Sequence, residues 1–214
     1  MIVAIDGPAG AGKSTIAARV ARRLGFQLID TGALYRAVAY EAMQRGIDTD
    51  DPAAVAELAG ELAFDFETTA DENIMYCDGR RMGDEIRTSE VSQLTSVISS
   101  YPEVRDALLE VQRELGREES SVLEGRDIGT VVFPDAEVKV FLTASAEERA
   151  RRRYEQIVDK GESADFDAIL AEIRERDARD RNRDVAPLTR ADDAERRVIA
   201  EQVMQRGRNR PLRN

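Results

Sequence analysis

The segment Gly7-Pro8-Ala9-Gly10-Ala11-Gly12-Lys13-Ser14 constrains this chain more than any other. It satisfies G-x-x-x-x-G-K-[ST], with the apolar run Ile2-Val3-Ala4-Ile5 in front and Thr15-Ile16-Ala17-Ala18-Arg19-Val20-Ala21 behind. That spacing predicts a short buried strand, a glycine-rich turn and a helix, the setting in which such a loop cradles phosphate. Gly10 and Gly12 allow successive N–H groups to face one anion, and the helix N-terminus adds partial positive charge. Lys13 then reaches β- and γ-phosphates, and Ser14 offers its hydroxyl to Mg²⁺. Residues Gly7, Pro8, Ala9, Gly10, Ala11, Gly12, Lys13, Ser14 and Thr15 are the expected nucleoside triphosphate site.

Composition removes several chemistries. The chain has no histidine, so His-based triads, His metal sites and a His proton shuttle are excluded. One cysteine, Cys77, cannot form an internal disulfide or a multi-cysteine zinc site, and it reads as a small apolar residue. A formal net charge of -11 argues against a nucleic-acid partner, which needs a basic footprint. The first apolar run stops at Asp6, and no later run reaches bilayer length. The expectation is a cytoplasmic protein with no membrane partner, and its 214 residues fit one domain.

The rest of the chain alternates. Residues 26–30 read as a second strand and 33–44 as a helix closed by Gly46; Asp51-Pro52 opens another helix. Strand–helix alternation of this kind predicts a parallel sheet with helices on both faces. Residues 64–90 break the rhythm with short strands and an Asp78-Gly79 turn, which reads as a small antiparallel insertion on the main sheet. Helices follow at 90–100 and from Pro102, and strands at 121–124 and 138–143. Ser145 caps a long charged helix. Two charged helices around Lys160-Gly161-Glu162-Ser163 have the profile of a mobile lid spanning about 150–175. The fold class is thus α/β: a P-loop three-layer sandwich with a small antiparallel β insertion and a helical lid.

A phosphate loop alone does not choose among GTPase, motor and kinase. The guanine-reading Asn-Lys-x-Asp motif is absent. Arg36, Arg126 and Asp127 fall just past strand ends, at the edge where open α/β sheets gather ligands. Arg176, Asp180 and Arg183 lie at i, i+4 and i+7, on one face of a helix. Glu172–Arg176, Glu175–Arg179 and Asp177–Arg181 equally read as ordinary pairs on a solvated helix, and the run Arg149, Arg151, Arg152, Arg153 reads as solvated charge. Transfer between two phosphates needs both anions held in line and screened, and arginine suits that because it stays charged and binds two oxygens at once. A small-molecule phosphotransferase is the expected class.

Four longer motifs resemble the bacterial cytidylate kinase family: Gly-Pro-Ala-Gly-Ala-Gly-Lys-Ser-Thr from Gly7, Asp-Thr-Gly-Ala-Leu-Tyr-Arg from Asp30, Glu-Gly-Arg-Asp-Ile-Gly-Thr-Val-Val-Phe-Pro-Asp-Ala from Glu124, and Glu-Arg-Asp-Ala-Arg-Asp-Arg-Asn-Arg-Asp-Val-Ala-Pro-Leu from Glu175. The resemblance implies a monomer transferring phosphoryl from ATP, with Mg²⁺, to CMP or dCMP. It implies that insertion 64–90 helps bind the monophosphate. Thr31, Arg36, Arg126 and Arg183 would hold the CMP phosphate, Arg176 and Asp180 the ribose, and Ser96, Arg105 and Asp127 the cytosine. Arg152 would join the ATP site, and Lys13, Arg126, Asp127 and Arg183 would be catalytic. Cytosine presents an amino donor beside acceptors, which a carboxylate flanked by Arg and Ser donors complements and uracil does not.

The C-terminus departs from the family pattern. Relatives continue into an aliphatic strand, whereas Glu195-Arg196-Arg197-Val198-Ile199-Ala200-Glu201 suits a helix better and 206–214 reads as a basic, disordered tail. Losing that strand would remove a wall of the adenine pocket. Two alternatives stay open on sequence: a kinase for another nucleoside monophosphate or small metabolite, and a nucleotide-binding protein without turnover.

Overall fold

A computed structural model describes residues 1–198. In chain order the elements are β1 (Ile2–Asp6), α1 (Lys13–Leu24), β2 (Gln27–Asp30), α2 (Thr31–Arg45), α3 (Pro52–Glu61), β3 (Phe64–Thr68), β4 (Asn73–Cys77) and β5 (Arg80–Met82). A 3₁₀ turn at Asp84–Arg87 leads to α4 (Ser89–Ile98), α5 (Pro102–Glu118), β6 (Ser121–Gly125), a π turn at Ile128–Val132 and β7 (Val138–Thr143). The chain then forms α6 (Ala146–Asp159), α7 (Phe166–Asn182) and β8 (Glu195–Val198).

The caps explain most boundaries. Asp51 and Asp165 accept from the first amides of α3 and α7, Thr88 does the same for α4, and Ser145 with Glu148 forms a capping box on α6. Gly25 and Gly46 end α1 and α2 in the left-handed conformation.

Side-chain alternation in the strands sets the layering. Ala4, Ile29 and Leu123 join one core with α2, α3, α4 and α5, whereas Val3, Ile5, Leu28 and Val122 join a second core with α1. Successive strand residues point to opposite faces, so three short strands seal two helical layers. The parallel sheet runs β2-β6-β1-β7-β8, and every carboxyl end opens on one edge. The expected three-layer α/β sandwich is the observed one.

The expected small antiparallel insertion is present with one change of detail, and one further expectation needs correction. Residues 64–82 form a separate antiparallel sheet, β3-β4-β5, with no ladder to the main one. It docks on the free edge of β2, where Gln27 Nε2 donates to Phe66 O at 2.9 Å and Leu28 N donates to Thr68 Oγ1 at 2.8 Å. Cys77 is buried there as an apolar filler. Second, 195–198 is a strand rather than the start of a helix, in parallel register with β7 from Val140↔Glu195 to Thr143↔Val198. The charge spacing that favours a helix is overridden because β7 offers unpaired main-chain groups, and an outermost strand tolerates charged side chains. The final strand of the sheet is therefore present. The tail expected at 206–214 lies outside the described residues, as does the end of the expected 195–201 helix. Among the described residues no helix is long and apolar enough to cross a membrane.

Candidate active site

The loop leaving β1 is shaped by main-chain constraints. Gly7 sits at φ 149°, and a Cβ there would stand 2.1 Å from the Leu142 carbonyl oxygen, so only glycine fits. Gly12, at φ 91°, precedes the first turn of α1, and no side chain caps that helix. The leading amides of α1 are thus left for an anion. Arg149 steadies the outer wall: it is 2% exposed, donates to Ala9 O at 2.9 Å, and forms a two-pronged pair with Asp177 at 2.9 and 2.6 Å.

Lys13 is buried at the floor of this cradle, its Nζ donating to Pro8 O at 3.0 Å. Burial and then the Arg126 guanidinium push its pKa down to about 7, against the pull of Glu124, Asp6 and Asp30. Ser14 Oγ donates to Glu124 Oε2 at 3.0 Å, and burial followed by Asp30 raises the Glu124 carboxyl to about 7. Asp6 receives the Ile128 and Gly129 amides, both at 2.8 Å, which pins the π turn beneath the loop; burial raises it to about 6 despite those bonds. A cluster of ionisable groups with displaced pKa values, set at the foot of an uncapped helix, is a candidate site for an anion.

Across the same sheet edge a second cluster gathers from separate elements. Asp30 caps α2 and holds Arg36 at 2.6 Å, while Thr31 Oγ1 donates to Glu124 O at 2.7 Å. Arg126 Nε donates to Asp180 Oδ2 at 3.1 Å. Arg105 on α5 forms a short, buried pair with Asp127, and Arg183 Nη2 lies 3.6 Å from the other Asp127 oxygen. Burial and then Arg126 lower the Arg176 guanidinium to about 10. Among the described residues Arg36, Arg105 and Arg176 each keep a buried Nε without a hydrogen-bond acceptor, and Arg183 Nη2 has only the longer ion pair with Asp127. Buried cationic donors left unsatisfied are costly, and an anionic ligand would relieve them.

Similarity to known proteins agrees with this geometry. The cytidylate kinase family model matches residues 3–203. A cytidylate kinase of Geobacter sp. (strain M21) is 51% identical over 194 residues, covering 91% of this chain and 83% of that protein. One from Pasteurella multocida (strain Pm70) is 48% identical over 194 residues, covering 91% and 86%. A cytidylate kinase 2 from Haemophilus influenzae is 48% identical over 194 residues, covering 91% and 87%.

The chain belongs to the cytidylate kinase family. Membership makes it a phosphotransferase, and the site residues expected of a cytidylate kinase can be located one by one. Lys13 and Ser14 start α1; Thr31, Arg36, Arg126 and Asp180 ring the carboxyl ends of β2 and β6; Arg105, Asp127 and Arg183 form one contiguous group. Ser96 is buried on α4, and Arg152 is half-buried on α6. Arg183 does not continue the α7 face with Arg176 and Asp180, as its spacing implies. The helix ends at Asn182, Leu188 N closes onto Asp180 O at 2.8 Å, and Arg183 reaches Asp127 from extended backbone.

Sequence reasoning missed four residues that shape the cytidylate kinase site. Asp6 and Glu124 lie at the ends of adjacent strands with Ile5 opposite Glu124, so parallel pairing, had it been assigned, brings them together. Arg149 reads as solvated because its partner, Asp177, is 28 residues away. Arg179 pairs with Glu175 as its spacing implies, yet it also donates from Nη1 to Ser96 Oγ at 2.5 Å. For a divalent cation, the Ser14 hydroxyl beside the Glu124 carboxyl group is a pair of hard oxygen donors.

Proposed function

We propose that this protein transfers the γ-phosphoryl group of ATP to CMP or dCMP, giving ADP and CDP or dCDP, with Mg²⁺ accompanying the ATP. The observation that carries this reading is the pairing of an uncapped main-chain cradle with Arg36, Arg105 and Arg176, each of which keeps one buried N–H without an acceptor among the described residues, both on one sheet edge. The names of the relatives support the choice of CMP.

In this reading the amides from Gly7 to Thr15, with Lys13 and Arg152, hold the triphosphate, and Ser14 faces the cation. Bound Mg²⁺ would neutralise charge on the β- and γ-phosphates. Thr31, Arg36, Arg126 and Arg183 hold the acceptor phosphate, so that its oxygen lies in line with the γ-phosphorus and the repulsion between anions is screened. Arg176 and Asp180 take the ribose. Asp127, fixed by Arg105, accepts from the cytosine amino group, and Ser96 and Arg105 donate to the base acceptors. Uracil would place a carbonyl oxygen against the Asp127 carboxylate, a mismatch between buried acceptors. Insertion 64–90 and the segment 150–175, with Gly161 at φ 81° between α6 and α7, are the parts proposed to close over the ligands. We place the enzyme in the cytoplasm as a monomer.

A turnover assay with ATP and Mg²⁺ offering CMP, dCMP, UMP and AMP tests the reading. CMP and dCMP should be converted at the highest kcat/KM; preference for UMP or AMP would overturn it.

A further inference from the structure

Hydroxyls near the end of α4 share one habit, with one exception. Thr95 Oγ1 donates to Val91 O at 2.6 Å, Ser99 Oγ to Ser96 O at 3.5 Å, and Ser100 Oγ to Val97 O at 2.6 Å. Each returns its proton to a carbonyl of its own helical segment, as short hydroxyl side chains do in helices. Ser96 does not. Its buried oxygen accepts from Arg179, 83 residues away on α7, and its own proton has no acceptor among the described residues.

Arg179 is itself held in place. Its Nη2 donates to Glu175 Oε1 at 2.8 Å, one turn earlier on α7, while Nη1 reaches Ser96 at 2.5 Å. The guanidinium therefore spans from a solvent-facing acid to a buried hydroxyl. A hydroxyl oxygen occupied by a cationic donor is a poor acceptor for any further N–H, because a second donor would approach positive charge. Of the second lone pair and the proton that remain on Ser96, the proton is the group the adjacent positive charge favours.

We propose that Arg179 is a positioning residue for base discrimination: by occupying the Ser96 oxygen from α7, it fixes Ser96 as a hydrogen-bond donor toward the base. This rests on the reading above in which Ser96 faces the pyrimidine. At ring N3 cytosine carries a lone pair and uracil an N–H, so a hydroxyl committed to donating favours the first and opposes the second. The contact also ties base reading on α4 to the placement of α7, which carries Arg176 and Asp180.

The test measures kcat and KM for CMP and for UMP in the wild-type enzyme, Arg179→Ala, Arg179→Lys, Ser96→Ala and the Arg179→Ala/Ser96→Ala double variant, with melting temperatures alongside. Arg179→Ala should lower the CMP-to-UMP ratio of kcat/KM by about tenfold, mainly by raising the KM for CMP while kcat holds. Arg179→Lys, which keeps a cationic donor, should recover most of the ratio. In the Ser96→Ala background, removing Arg179 should change the ratio no further. An Arg179→Ala enzyme that slows on CMP and UMP alike, or effects that add in the double variant, would overturn the positioning role while leaving the CMP assignment intact. A wild-type enzyme with no preference for CMP would overturn the substrate reading and this inference with it, and a Ser96→Ala enzyme with an unchanged ratio would overturn the inference alone.

Discussion

From Gly7 to Lys13 the proposed triphosphate site is made of consecutive main-chain groups, with glycines where the chain must bend tightly. Across the sheet edge the proposed acceptor site is made of side chains carried by α2, α4, α5, α7 and the segment after β6. The first site depends on φ angles and one buried lysine. The second depends on pairs such as Arg105–Asp127 and Arg126–Asp180, whose members are 22 and 54 residues apart. A local cradle can lose a side chain and keep its shape, because its donors are amides. A cluster of mutually paired charges cannot, since removing one member strands another in a buried setting.

Substitutions can break that contrast. Lys13→Ala should lower kcat by about 10⁴-fold, as expected for loss of a cation on the transferring group. Its melting temperature should not fall, because a poorly solvated buried amine is removed and the loop's amides remain; a rate within tenfold of wild type would deny Lys13 its role. Asp127→Ala should behave in the opposite way. It leaves Arg105 buried without its partner, at a cost of about 3–5 kcal/mol measured by denaturant unfolding. The surviving enzyme should also discriminate less between CMP and UMP, and unchanged stability would show that Arg105 finds another partner. Arg36→Ala should weaken CMP by about 100-fold while the KM for ATP moves less than about threefold. A larger effect on ATP would mean that the two sites are exchanged.

The smallest effect sharpens the comparison through protons. Burial depresses Lys13 to about 7 and raises Glu124 to about 7. A bound triphosphate brings negative charge, which raises both pKa values. Near pH 7.5, ATP binding without Mg²⁺ should therefore take up a fraction of a proton up to about one, and the uptake should fade well above the ordinary lysine range. Calorimetry in buffers of different ionisation enthalpy reads this directly, and proton release would contradict the sign. CMP binding without ATP should show a smaller uptake, because arginines dominate that site and stay charged.

The difference between the sites also explains what could be read in advance. The P-loop is contiguous, so its strand–loop–helix setting was legible from spacing alone. Arg36, Arg126 and Asp127 were legible as residues beyond strand ends, because parallel α/β order fixes which edge they share. Arg149 was not. Four arginines in five residues look solvated until α7 supplies Asp177 and the loop supplies Ala9 O. Arg179 was legible only as half of a local pair with Glu175, and its second bond to Ser96 depends on how α7 packs over α4. β8 was misread because its four residues carry no strand pattern; the unpaired edge of β7 makes the strand. Arg183 left its helical face because α7 ends at Asn182 and the extended backbone that follows carries Arg183 to Asp127.

Sequence by itself determined the alternating strands, the caps and the phosphate loop, since each rests on groups a few residues apart whose preferred geometry is short-range. Only the tertiary structure decided which charges are buried, which acid each arginine meets and where the last strand lies. Those outcomes depend on desolvation and on pairing between distant segments, and neither is set until the layers have packed.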